Sequence, residues 1–190
     1  MPHKFNPQNI HKLDNPERKK ILPPEEILLE LGLKANDIMI DIGAGIGYFS
    51  FPATKIVGNN GLVIAVDTSS EILEELKSRT LNSNIENIDI ILSQEYNFMV
   101  NEKKGDFVFM AFVLHEIEDK NLFLKNINKI MKPKAKLAII EWDKKVKDQG
   151  PPLDDRIDKG DVIMFLEQLD FKNIINIDYN DYFYFITANK

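Results

Sequence analysis

Residues 39–49 read Met-Ile-Asp-Ile-Gly-Ala-Gly-Ile-Gly-Tyr-Phe, and no other stretch restricts the fold as much. A short apolar run carries Asp41 near its end, glycines follow at 43, 45 and 47, and an apolar segment begins at once. That order describes a buried strand, a tight loop and a helix. Glycine permits positive φ and lets backbone approach a ligand closely. The helix beyond the loop presents unpaired N–H groups. Such a loop needs a sheet to carry it.

The remaining chain supplies the strands and helices. Pro24 with Glu25 and Glu26 suits a helix start, Ile27, Leu28 and Leu31 share a face, and Gly32 can end the helix. Ile38–Ile42 is the first strand. Pro52 is tolerated if the helix after the loop starts near Tyr48. Asn59-Asn60-Gly61 marks a turn, and Leu62–Val66 is a strand closed by Asp67. Thr68, Ser69 or Ser70 can cap the next helix, in which Ile72, Leu73, Leu76 and Thr80 share a face. Ile88–Leu92 is the third strand, and Phe107–Val113, apolar throughout, reads as a strand covered on both faces. A helix over Lys120–Met131, ended by Pro133, leads to a fifth strand at Leu137–Trp142. After a polar loop at 143–150, a helix near Asp161–Leu169 precedes strands at Asn173–Ile177 and Tyr182–Thr187. The connection between those two is too short for a parallel pair.

Strands alternating with helices give an α/β fold, a parallel sheet with helices on both faces. Ligands sit beyond the carboxyl ends of such strands, where the glycine loop, Asp67, Gln94 and His115 all fall. Residues 1–23 have prolines at 2, 7, 16 and 23. They read as an N-terminal tail, or as a flap docked through Leu13, Ile21 and Leu22, with a short helical piece at 16–22. Residues 24–190 form the expected domain.

Composition removes whole classes of function. The net charge is −6 with pI near 5.2, so no global basic field draws nucleic acid or an anionic membrane. The chain has no cysteine, which excludes disulfides, thiolate metal sites and cysteine nucleophiles. The polar, Pro-broken first residues lead to an expectation of no signal peptide, and no apolar run reaches membrane length. The expectation is a cytoplasmic protein without nucleic-acid or membrane partners; monomer and homo-dimer both stay open.

The loop spacing sorts the ligands. A dinucleotide site wants a third glycine where this chain has Tyr48, and the Gly-Lys-Ser/Thr ending of a P-loop is absent. What remains is Asp41-x-Gly43-x-Gly45-x-Gly47, with Asp67 closing the second strand. From about residue 24 onward the chain resembles the class I S-adenosylmethionine-dependent methyltransferases. The resemblance implies a Rossmann-like, doubly wound seven-stranded sheet of order 3-2-1-4-5-7-6, strand 7 antiparallel, with S-adenosylmethionine as cofactor. It implies that Asp41 faces the methionine ammonium, directly or through water, and that Gly43, Gly45 and Gly47 pass under the cofactor. Asp67, with Thr68 beside it, matches the acid that binds the ribose hydroxyls; a helix cap is the plainer role. Gln94 or Glu95 matches the adenine contact. Ala111 and Phe112 match the positions whose backbone lies beside the reacting methionine end.

The chain is most similar to small-molecule enzymes with an Ala-Phe-x-Leu-His-Glu stretch after strand 4. Leu13-Asp-Asn-Pro-Glu-Arg18, Leu22-Pro-Pro-Glu25 and Gly150-Pro-Pro-Leu with Arg156 extend that similarity. Methyl transfer from a sulfonium needs mainly alignment, and a base only where the acceptor must lose a proton. His115 is a candidate base or orienting group, or else a histidine hydrogen-bonded at the head of the next helix. Glu116 either orients it or begins that helix. Glu141 and Trp142 are expected to wall the acceptor pocket, and Arg156 to bind an acidic acceptor or form a surface ion pair. No metal is expected. The resulting reading is methyl transfer to a small-molecule acceptor; the alternative is a cofactor-binding regulatory protein of the same fold without turnover.

Overall fold

The computed structural model describes residues 16–145 and 149–190. The first fifteen residues of the tail or flap expected over 1–23, and the middle of the polar loop, lie outside these. Seven strands form a sheet of order β3-β2-β1-β4-β5-β7-β6. The chain falls into two compact units, one ending at Met99 and one running from Val100 to Lys190.

In the first unit, α1 (Pro16–Ile21) leads into the fully buried Leu22, and α2 (Pro24–Glu30) buries Ile27 and Leu28. Gly32, at φ +96°, ends α2: its N–H reaches the Leu29 carbonyl at 3.0 Å and the Leu33 N–H reaches Leu28, also at 3.0 Å. This is the paired Schellman closure that a left-handed residue permits. Strands β1 (Ile38–Ile42), β2 (Leu62–Asp67) and β3 (Ile88–Leu92) run parallel. Helix α3 (Ser50–Val57) holds Pro52 in its first turn, where an N–H is unpaired anyway. Helix α4 (Ser70–Asn82) buries Ile72, Leu73 and Leu76, and Ser69 caps it by accepting from the Ile72 N–H.

In the second unit, β4 (Gly105–Ala111) pairs in parallel with β5 (Met131–Trp142). β5 pairs antiparallel with β7 (Phe183–Asn189), which pairs antiparallel with β6 (Lys172–Asp178). Helices α5 (Lys120–Ile130) and α6 (Lys159–Gln168) carry the aspartate caps Asp119 and Asp158. Several boundaries differ from expectation. β4 stops at Ala111 because Phe112 turns left-handed, at φ +62°. α5 ends at Ile130 and β5 starts at Met131, six residues early, since the chain before Pro133 favours extended backbone. The early part of β5 is irregular: between paired residues it takes five steps against two on β4, with Lys134 at φ +67°. α6 begins two residues early, where Asp158 accepts the Gly160 N–H at 2.8 Å.

Among the described residues, no helix is long and apolar enough to cross a membrane.

Candidate active site

In the first unit the glycines behave as their spacing requires. Gly43, Gly45 and Gly47 have φ of +71°, +57° and +89°. A Cβ on Gly47 would lie 2.7 Å from both Leu76 Cδ1 and Phe51 Cε2, so a side chain there would displace both as well as strain the left-handed backbone. The N–H groups of Gly43 and Ala44 both donate to the Val66 carbonyl, at 2.8 and 3.0 Å. The loop is thereby fastened to the end of β2.

Asp67 sits where those segments meet. One carboxylate oxygen accepts the Gly45 N–H at 3.0 Å and the other accepts the Ser69 N–H at 3.0 Å. The helix cap proper is Ser69. A carboxylate has about four acceptor positions, so one on each oxygen remains open, the pattern a vicinal diol needs. Thr68 next to it is exposed.

Asp41 is buried, with 2 % of its surface exposed, and Ser50 at the start of α3 donates its hydroxyl to Oδ2 at 2.6 Å. Burial raises the carboxyl pKa to about 7; the Ser50 bond opposes the rise and the charge of Asp67 adds to it. Ser50 was not singled out from sequence, although a hydroxyl opening the helix after a glycine loop was a usable signal. Tyr48 was read only as the residue that breaks the dinucleotide spacing; its hydroxyl donates to the Leu22 carbonyl at 2.7 Å while Arg18 lies over its ring at 4.1 Å. Gln94 and Asn97 exchange backbone hydrogen bonds at 2.9 and 3.1 Å around a turn through Glu95 and Tyr96, and the Gln94 side chain is exposed.

In the second unit, His115 lies in a 3-10 turn over Leu114–Glu116. Its Nδ1 is 2.7 Å from Glu141 Oε2, and its backbone N–H donates to Glu141 Oε1 at 3.2 Å. Glu141, expected as a pocket wall, is instead fully buried and is the carboxylate that orients the ring. Glu116, read as orienting the ring or as opening the next helix, keeps its carboxylate 4.0 Å from Nε2 and lies in the 3-10 turn itself. Burial works against the charged ring, but the charge and hydrogen bond of Glu141, with smaller contributions from Glu116 and Asp155, outweigh it and raise the His115 pKa.

Phe112, Trp142 and Phe183 form a cluster with ring centroids 4.8–5.3 Å apart. Phe112 and Trp142 are half-buried. Arg156, read as an acceptor contact or a surface ion pair, is buried rather than on the surface. It is 3 % exposed, lies 5.5 Å from the Trp142 ring, and donates to the carbonyls of Pro151 (3.0 Å), Asp143 (2.5 Å) and Gln149. Its guanidinium holds the Pro-Pro loop in place. Gly150 has φ +83°, and a Cβ there would lie 2.7 Å from the Trp142 ring, which holds the loop against that side chain. Among the described residues, no group of histidine, aspartate or glutamate is arranged to hold a metal.

The first unit's residues fit S-adenosylmethionine: a loop with three glycines at positive φ, a buried carboxyl on the strand that leads into it, and Asp67 with acceptor positions open. This constellation, with the sheet order, is that of class I S-adenosylmethionine-dependent methyltransferases. Residues 33–177 match the family model described as "Methyltransferase domain", and the chain belongs to that family. The crystal structure of a SAM-dependent methyltransferase from Aquifex aeolicus is 32% identical, with a TM-score of 0.93 over 98% of this chain and 99% of that one. A ubiquinone/menaquinone biosynthesis C-methyltransferase of Haemophilus ducreyi is 27% identical over 118 residues, 62% of this chain and 46% of the relative. The chain spans about half the length of the curated relatives it matches. Phosphoethanolamine N-methyltransferase 2 of Haemonchus contortus, solved with S-adenosylmethionine, shares the fold at a TM-score of 0.77 and 14% identity, over 98% of this chain and 57% of that one.

Proposed function

We propose that this chain transfers a methyl group from S-adenosylmethionine to a small-molecule acceptor, and that residues 24–190 are the methyltransferase domain. The observation that carries the reading is Asp67, held by the loop and the α4 entry with one acceptor position open on each oxygen. In this reading Asp67 binds the ribose hydroxyls and Asp41 faces the methionine ammonium. Gln94 or Glu95 meets the adenine, and Gly43, Gly45 and Gly47 let the backbone come close. The backbone at Ala111 and Phe112 takes the place that the family resemblance implies. When bound, S-adenosylmethionine supplies an electrophilic methyl on a sulfonium; the protein's work is to bind, orient and exclude water. The names of the Haemophilus and Haemonchus relatives, one a quinone-pathway enzyme and one acting on phosphoethanolamine, support a small acceptor without choosing one.

Titration calorimetry tests the reading. S-adenosylmethionine and S-adenosylhomocysteine should both bind, and Asp67→Ala should weaken binding by about 100-fold, since hydrogen bonds to a charged group contribute about 1.5–3 kcal/mol each. No heat with either ligand would refute it.

A further inference from the structure

We propose that Glu141 is a positioning residue that makes His115 a base toward the methyl acceptor, so that the acceptor attacks through a hydroxyl or an acidic carbon rather than a neutral amine. The inference rests on the methyltransferase reading above, but its geometry lies wholly within the second unit.

Glu141 lies on β5, opposite Tyr184 of β7, and is 0 % exposed. Its two oxygens hold one residue at two points, the ring Nδ1 and the backbone N–H of His115. A carboxylate only accepts, so Nδ1 carries the ring proton and Nε2 keeps its lone pair in the neutral imidazole. Nε2 has no hydrogen-bond partner among the described residues; Glu116 is 4.0 Å away. No buried side-chain nitrogen or oxygen among those residues lacks a partner, so Nε2 is not sealed in. One nitrogen is committed to the protein and the other is left open to what approaches.

A purely structural histidine needs neither feature. The charged groups facing the ring are Glu141 from β5, Glu116 from its own turn and Asp155 from the turn before α6, all acidic. They favour the imidazolium that proton transfer would create. The step balances as follows. The acceptor's X–H bond gives its proton to Nε2, its electron pair goes into the new X–CH3 bond, and the pair of the broken carbon–sulfur bond stays on sulfur. A neutral amine attacks with a lone pair it already has and needs no base first. Phe112 and Trp142, half-buried beside these strand ends, give the acceptor flat apolar surface.

The test begins with the protein free of cofactor. Nitrogen-15 spectra of the His115 ring should show the Nδ1–H tautomer in the neutral form and a titration above the ordinary histidine range. In Glu141→Gln the titration should move down, and Glu141→Asp should restore part of the shift. An Nε2–H tautomer in the wild type, or an unchanged titration in the variant, overturns the positioning role. With cofactor supplied, catechol and benzylamine separate the acceptor classes. Methylation of catechol with a rate that rises through the His115 titration, and a rising limb at lower pH and a plateau reduced 10- to 100-fold in Glu141→Gln, is expected. Methylation of benzylamine alone, or of neither compound, overturns the acceptor class. Absence of cofactor binding would defeat the methyltransferase reading while leaving the ring measurement intact, so the two failures are distinguishable.

Discussion

Asp41 in the first unit and Glu141 in the second are both carboxylates removed from water. Asp41 has a neutral donor, the Ser50 hydroxyl, and its pKa is driven up to about 7. Glu141 has a partner that can take the opposite charge, the His115 ring, together with a backbone N–H. Burial is the same and the company differs. A buried acid next to a neutral group stays uncommitted, ready to ionise when a cation arrives. A buried acid next to an ionisable base passes its influence to that base.

Four variants strain this contrast, the largest effect first. Glu141→Ala leaves a buried ring N–H and a backbone N–H without a partner and should destabilise the protein by about 3–5 kcal/mol, read from urea unfolding. A loss below 1 kcal/mol would mean that the pair is slack. Asp41→Asn should act oppositely at neutral pH. Because the folded pKa of Asp41 lies above the unfolded one, its penalty is absent below about pH 4 and complete above about pH 7. There it amounts to up to about 4 kcal/mol, and the variant should remove that slope. His115 is also raised, so its stabilising contribution is complete below about pH 6.5 and is lost as pH climbs through its folded value. The two slopes share a sign and occupy different windows, and Glu141→Gln should flatten only the upper one. The smallest effect is that of Ser50→Ala. Loss of a bond worth about 1 kcal/mol should carry the Asp41 titration up by less than about one unit, visible by carbon-13 detection of the carboxyl. A downward move would reverse the assigned role of Ser50.

Much of the first unit was legible because its chemistry is local. The three glycines, the acid two residues before them and the acid ending β2 lie within 27 residues and meet through backbone geometry that sequence encodes directly. The antiparallel ending was legible for a similar reason, since a short connection allows little else. The second unit was less transparent. Glu141 and His115 are 26 positions apart and meet only because β5 runs alongside β4 and the 3-10 turn folds back. From sequence, Glu116 was the nearer carboxylate and the natural choice. Arg156 read as an acceptor-binding cation or a surface ion pair because nothing in its neighbours announces three carbonyls converging on it. The left-handed Phe112 was hidden inside an apolar run that looked like unbroken strand.

The bond from Tyr48 to the Leu22 carbonyl changes where this protein begins as a working object. The prolines at 23 and 24 invite a cut there, and the family match starts only at residue 33. Either trimming would remove Leu22, which is fully buried, and Arg18, which lies over the ring of the residue following the third glycine. A shortened version would keep every residue of the loop and lose the footing on its trailing edge. The smallest useful fragment starts before the fold's recognisable sequence does.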